Sequence, residues 1–274
     1  HHASEVIGMG DHPAEALRKK KGASMWEAIR LAKKDPTVGA AMSAGNSGAF
    51  MAGGKVLFGG VPGISRPPFA IELPSIKGKI VLLDAGALVD SDANQLVQFA
   101  ELGDMYAKRI LDRKRPKVAL LNVGEEEGKG SQSVREAYER LQLASLHFTG
   151  NIEGDRVFEG DADVVVCDAF AGNVLLKTAE GIVSILMGEM KQELKANPVR
   201  MLGALMARDA FKNLQRRYDW EEMSGGVLLG VAGNLVVTHG KAKARGIMNA
   251  IRLAHRTAEF PLAETITEAY HSRA

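Results

Sequence analysis

The side chains in this sequence best suited to chemistry sit in short glycine-rich turns. Four segments share one design, an apolar run that ends in glycine and small polar residues, often followed by a helical pattern. They are 43–48, with Ser43, Gly45, Asn46, Ser47 and Gly48; 84–90, opening on Asp84 and Gly86; 124–130, ending in Lys129 and Gly130; and 168–173, with Asp168, Gly172 and Asn173. Backbone N–H groups at a helix start attract an anion. Glycine lets a ligand come close to the backbone. Taken singly, each segment is equally a tight turn that needs glycine. Four together point to a site that holds a phosphate-like anion. His239, at the end of an apolar run, reads either as a site residue or as a hydrogen-bonded structural histidine. Cys167 closes the run Val164, Val165, Val166 and reads as a small buried hydrophobe.

Other chemistries lack their residues. There is no GxxxxGK[ST] and no GxGxxG, which weighs against a P-loop ATPase and a standard dinucleotide site. There is no HExxH, no cysteine pair and no G-x-S-x-G elbow, so neither a metal nor a cofactor is expected. The 274 residues are 46% hydrophobic with a net charge of +2, enough for a sizeable core and too balanced for a dedicated nucleic-acid binder. One cysteine precludes an internal disulfide framework and suggests a reducing, cytoplasmic setting. The first ten residues do not read as a signal peptide, and no unbroken apolar run of 18 residues predicts a membrane span.

The elements that must position the turns follow from periodicity. Short apolar runs predict strands at 38–42, 80–84, 117–123, 146–149, 164–167 and 235–238. Spacing of three and four predicts helices near 13–18, 25–34, 49–57, 92–111, 133–143, 174–195 and 198–218, and from about 242 to the C-terminus. The stretch 56–68 reads as loop. Alternation of strand and helix implies a mostly parallel sheet with helices on both faces, whose turns gather at the C-terminal edge of the strands. Residues 1–274 read as a single α/β domain with a helical insertion at about 191–220.

At these turns the sequence resembles the PlsX family of phosphate acyltransferases. The matching segments are Ser-Ala-Gly-Asn-Ser-Gly-Ala at 43–49, Leu-Leu-Asp-Ala-Gly-Ala at 82–87, Leu-Leu-Asn-Val-Gly-Glu-Glu at 120–126 with Lys129 and Gly130, Gly-Asn-Ile-Glu-Gly at 150–154, Asp-Val-Val-Val-Cys-Asp-Ala-Phe-Ala-Gly-Asn-Val at 163–174, and Gly-Gly-Val-Leu-Leu-Gly-Val at 225–231. Their order holds from about residue 4 to 269. The resemblance implies an isocitrate/isopropylmalate dehydrogenase-like, phosphotransacetylase-like fold that begins N-terminal to this sequence, so that an N-terminal segment is expected to be missing. It departs from the family pattern at Leu88, Ser131, Gln132, Ala169, Lys241 and Ala242.

The activity implied is transfer of an acyl group from acyl carrier protein to inorganic phosphate, giving acyl phosphate for phospholipid synthesis. Lys129 and Asn173 fall on the family's catalytic lysine and asparagine. Phosphate is already an anionic nucleophile and a thioester already has a good leaving group, so such a site needs positioning and charge stabilisation rather than a triad. Asn46 and Ser47 in the 43–48 turn are then expected to hold phosphate, Lys129 to screen charge, and Asn173 to donate to the oxyanion. Asp84 and Asp168 either orient donors or cap helices.

Between Lys191 and Arg217 seven basic side chains stand against two acidic ones, a local charge of +5, beside an apolar face of Val199, Met201, Leu202, Leu205 and Met206. This reads as a dimer-interface helix or as one lying on an anionic lipid surface. The resemblance implies a homodimer, acyl carrier protein as donor, and peripheral contact with the membrane and a downstream glycerol-3-phosphate acyltransferase. The alternatives are a short-chain acyl-CoA phosphotransacetylase, a dehydrogenase on the same fold, and a non-catalytic membrane-associated scaffold.

Overall fold

The computed structural model describes residues 1–218 and 225–272. In chain order the elements are α1 (Pro13–Lys19), α2 (Ser24–Lys34), β1 (Ala41–Ser43), α3 (Ser47–Phe58), β2 (Phe69–Ser75), β3 (Gly78–Leu83), α4 (Ala93–Ile110), β4 (Val118–Leu121), α5 (Gln132–Gln142) and β5 (Phe148–Ile152). There follow a 3-10 turn (Val157–Glu159), β6 (Val164–Val166), α6 (Ala169–Lys195), α7 (Pro198–Met206), α8 (Arg208–Tyr218), β7 (Gly226–Leu228), β8 (Leu235–Val237), α9 (Ala244–Glu259) and α10 (Leu262–His271).

These strands form one mixed sheet in the order β1-β8-β7-β2-β3-β6-β4-β5. Neighbours β3, β6, β4 and β5 pair parallel, as do β1 and β8. Strand β2 is antiparallel to both β3 and β7, and β7 is antiparallel to β8. Following the pairings across the sheet, β1 and β8 run opposite to β3, β6, β4 and β5. The turns after β3, β4 and β6 therefore leave one edge together, as alternation predicts, but the 43–48 turn leaves β1 in the reverse direction. The two strands responsible, β2 and β7, carry no clean signal: Glu72 and Pro74 interrupt the apolar run of β2, and β7 opens on Gly226.

Glu72 is tolerated in a buried strand because its carboxylate is fully partnered. Tyr106 Oη donates to it at 2.8 Å, Arg256 Nη2 at 2.6 Å and Lys79 Nζ at 2.6 Å. Burial alone would raise this carboxyl, but Lys79 and Arg256 outweigh it and hold Glu72 below the usual carboxylate range.

Both faces of the sheet are covered. Val81, Leu83, Val118, Leu120, Val164 and Val166 point to a core shared with α4, α5, α9 and α10. Their strand neighbours Ile80, Leu82, Ala119 and Val165 point to the opposite core, against which Leu175 and Leu176 of α6 pack. This alternation explains why the strands read as unbroken apolar runs. A third core joins α1, α2 and α3 to β1, β8 and Phe69.

Helix α4 begins at a capping box, in which Asp92 accepts from Gln95 N and the Gln95 side chain accepts from Asp92 N, both at 2.9 Å. The C-terminal run predicted as one helix is two, because Pro261 has no N–H to continue the ladder. The insertion expected at about 191–220 comprises the end of α6 with α7 and α8; residues 219–220 lie outside the described part. Helix α6 reaches a mean hydropathy of 1.3 over 18 residues, so by length and composition it matches a bilayer-crossing segment, which the sequence reading did not anticipate. Its Ile182, Ile185 and Leu186 are exposed, as are Val199, Leu202 and Met206 of α7.

Candidate active site

A cleft of about 240 Å³ lies where the strand direction reverses. Phe69 and Ile71 of β2 line it together with Gly226 of β7, Val237 of β8, and Thr238 and His239 beyond β8. The turn after β3 supplies Ala85 and Gly86, the start of α3 supplies Ser47, and α6 supplies Asn173, Leu176, Lys177 and Glu180.

Two aspartates build the wall between β3 and α6. Asp84 is fully buried. Its carboxylate accepts from Phe69 N at 3.0 Å, Gly86 N at 3.1 Å, Ala87 N at 3.1 Å and Leu88 N at 2.9 Å. Burial pushes its carboxyl above the ordinary range while these N–H donors pull the other way. Asp168 caps α6 by accepting from Ala171 N at 2.8 Å. One turn later, Gly172 brings the helix backbone hard against the Asp84 turn: a Cβ there would lie 2.0 Å from Asp84 O and 3.0 Å from Cys167 Sγ. Cys167 is buried, and burial raises its thiol well above the usual value, so it stays protonated and structural.

That contact sets the position of Asn173, which faces the cleft from the exposed side of α6. Lys177 and Glu180 follow at spacings of four and seven on the same helix face. Lys177 Nζ donates to Glu180 Oε2 at 2.7 Å. The cleft's own ammonium is thus Lys177, which the sequence reading passed over. It stood in what read as an ordinary helix; the signal available was its four-residue offset from Asn173.

The other expected residues divide. Ser47, Gly86, Asn173 and His239 line the cleft. His239 also holds its own turn, its Nδ1 accepting from Lys241 N at 3.0 Å. Asn46 is 8% exposed and its amide is committed elsewhere. Its Oδ1 accepts from Ala49 N at 3.0 Å, capping α3, and its Nδ2 donates to Asp11 O at 2.9 Å and to Gly8 O and Met9 O at 3.3 Å. It fastens residues 8–11 to the helix start instead of facing the cleft. Ser43 accepts from Gly45 N at 3.1 Å and shapes that turn, and Gly48 abuts Pro13. Asp84, Asp168 and Gly172 stand behind the lining as its supports.

Lys129 leaves the sheet on the same edge as Gly86 and Asp168, because β4 is parallel to β6 and β3. It is exposed, its N–H bonds to Glu126 O at 3.1 Å and its carbonyl accepts from Asn122 Nδ2 at 3.0 Å. It is not among the residues that line the cleft. Asn46, Lys129 and Asn173 therefore do not meet in one cavity, and of the three only Asn173 faces it.

The family described as "Fatty acid synthesis protein" matches residues 1–264. Over 262 residues the chain is 44% identical to a phosphate acyltransferase of Acidobacterium capsulatum, covering 96% of this chain and 77% of that protein. It is 47% identical over 254 residues to a phosphate acyltransferase of Heliobacterium modesticaldum, covering 93% and 76%. Among solved structures, the EutD phosphotransacetylase from Staphylococcus aureus is similar with a TM-score of 0.57 at 15% identity, over 91% of this chain and 71% of that one. A branched-chain phosphotransacylase from Enterococcus faecalis gives 0.53 at 16% identity, over 85% and 78%. At those identities the likeness is one of fold.

Proposed function

This chain belongs to the fatty acid synthesis protein family of phosphate acyltransferases, and from that premise we propose that the cleft at the strand reversal transfers an acyl group from acyl carrier protein to inorganic phosphate. The observation that carries the proposal is the shared lining of one 240 Å³ cleft by Ser47, Asn173, Lys177 and His239.

The chemistry asked of these groups is modest. A phosphate oxygen attacks the thioester carbonyl carbon, the C–O bond forms, the tetrahedral oxyanion collapses, and the C–S bond breaks to release thiolate, which takes a proton from solvent. Phosphate sits at the N-terminus of α3, against Ser47, where backbone N–H groups favour an anion. Lys177 exchanges Glu180 for the phosphate charge. Asn173 donates to the oxyanion, a contribution of about 2.7–4 kcal/mol for a well-aimed donor. Lys129 acts from the neighbouring turn on the same strand edge, screening the developing charge. Asp84, Asp168, Gly172 and Asn46 hold these groups in place.

The product feeds phospholipid synthesis. The protein works on the cytoplasmic side as a homodimer, with the +5 surface between Lys191 and Arg217 facing an acidic partner, either carrier protein or anionic lipid. Residues 1–274 belong to one catalytic α/β domain, with α7 and α8 in its helical insertion.

The test is incubation with long-chain acyl carrier protein and phosphate, trapping acyl phosphate with hydroxylamine. Lys177→Ala is expected to raise KM for phosphate about tenfold or more, and Lys129→Ala to lower kcat, with both variants folded. Absence of acyl phosphate with the wild-type protein, or wild-type kinetics in both variants, would overturn the assignment.

A further inference from the structure

The cleft sets one acceptor among its donors. The Lys177 ammonium only donates, and Ser47, Asn173 and His239 each carry both a donor and an acceptor. Glu180 carries the one carboxylate among the described side chains that line the cleft, and an ionised carboxylate only accepts. Asn173, Lys177 and Glu180 follow at spacings of four and three along α6, so they share one helix face. Among the described residues the hydrogen-bond donor to Glu180 is Lys177, whose Nζ lies 2.7 Å from Oε2. The Glu180 side chain is 27% exposed. An anion that draws Lys177 away therefore leaves a partly buried carboxylate in need of a new donor.

We propose that Glu180 is a specificity-determining residue, which makes the cleft accept inorganic phosphate and reject sulfate. The inference rests on the reading of phosphate as acyl acceptor and adds how the site tells it from a near-isosteric ion. Both ions are tetrahedral oxyanions of similar size. In mildly alkaline solution both are mainly dianions, so a positive site alone does not separate them. They differ by one proton. Hydrogen phosphate carries a P–OH that donates, whereas sulfate offers acceptor oxygens and no proton. Once Lys177 turns to the bound ion, the P–OH takes its place as donor to Glu180. Sulfate in the same position sets an oxygen against the carboxylate, which is then both unpaired and repelled. Stripping a partly buried charged group of its partner costs more than a typical hydrogen bond contributes. A site built to pair with a ligand's donor rejects the analogue that lacks it. Water that reaches Glu180 reduces this rejection, so about tenfold is expected here.

The experiment is calorimetric titration of the purified protein with sodium phosphate and with sodium sulfate, at matched ionic strength in mildly alkaline buffer and without acyl donor. The parent is expected to bind phosphate about tenfold or more tighter than sulfate. Glu180→Gln keeps the size of the side chain and adds an amide N–H donor. It is expected to bring the two affinities within about threefold, chiefly by tightening sulfate. Lys177→Ala is expected to weaken both ions about tenfold, which locates them in the cleft. Equal affinities in the parent, no phosphate binding, or phosphate affinity untouched by Lys177→Ala overturns the proposal. So does a Glu180→Gln protein with the parent's preference, which is what a merely structural Lys177–Glu180 pair would give. A preference for phosphate that Glu180→Gln abolishes, in a protein that makes no acyl phosphate, would uphold the selectivity and overturn the reaction. Acyl phosphate formation by a protein that binds the two ions equally would do the reverse.

Discussion

Replacing Gly172 by alanine tests how the cleft is built. The added Cβ would lie 2.0 Å from Asp84 O, a backbone atom fixed by its place between β3 and β6, where ordinary contact begins at 3.4 Å. Helix α6 must therefore back away from the 84–88 turn by more than 1 Å, and Asn173, the next residue, moves with it. Overpacking of this kind costs about 1–3 kcal/mol, which for a chain of this size lowers Tm by about 2–12 °C. A misplacement of about 1 Å costs about 100-fold in rate. Gly172→Ala is thus expected to lose about 100-fold in kcat in the hydroxylamine-trapping assay at a temperature where it remains folded. Gly188→Ala in the same helix is the control. A Cβ at position 188 would meet no heavy atom within 4 Å, and removing a mid-helix glycine stabilises by about 0.5–1 kcal/mol. A Gly172→Ala enzyme turning over within threefold of the parent would refute the claim that the Gly172 contact positions Asn173.

Two further outcomes separate support from chemistry. Glu72→Gln is expected to cost about 2–3 kcal/mol at pH 7, because Arg256 and Lys79 lose a charged acceptor. Since the Glu72 carboxyl lies below its usual value when folded, its stabilisation is complete above the unfolded carboxylate pKa and is lost as pH falls through the folded one. The variant should show a flatter acid limb in thermal melts between neutral pH and pH 3, and superimposable melts would contradict the network. Asn46→Ala removes a helix cap and the tie to residues 8–11, so a loss of about 1–2 kcal/mol is expected. Its KM for phosphate should stay within about twofold of the parent; a large rise in KM at unchanged Tm would return the amide to the ligand.

How much was legible can be argued from particular residues. The strands around Val81, Leu120 and Val165 were readable because burial on both faces leaves an unbroken apolar run, and α4 because its apolar residues recur at spacings of three and four over 92–111. The reversal of β1 and β8 was not readable, because it depends on β2 and β7. A buried Glu72 reads as polar because two of its three partners, Tyr106 and Arg256, are distant in sequence and only Lys79 is near. In the site, the glycine turns pointed to Ser47, Gly86 and Asn173, which line the cleft. The same turns made Asn46 look like a ligand donor, since a cap and a donor use the same side chain. Lys177 sat in no turn and was passed over for that reason, whereas Lys129 sat in one and stands outside the cleft lining.

The register Ile71 to Gly226 and Gly226 to Val237 has a consequence for synthesis. The floor and far wall of the cleft come from a strand made early and strands made late, and the early one waits for its partner across most of the chain. A nascent polypeptide halted between Lys177 and Gly225 carries Asn173 and Lys177 opposite Phe69 and Ile71 but lacks the wall made by Gly226, Val237, Thr238 and His239. The cleft is therefore complete only once β7 and β8 have joined β2.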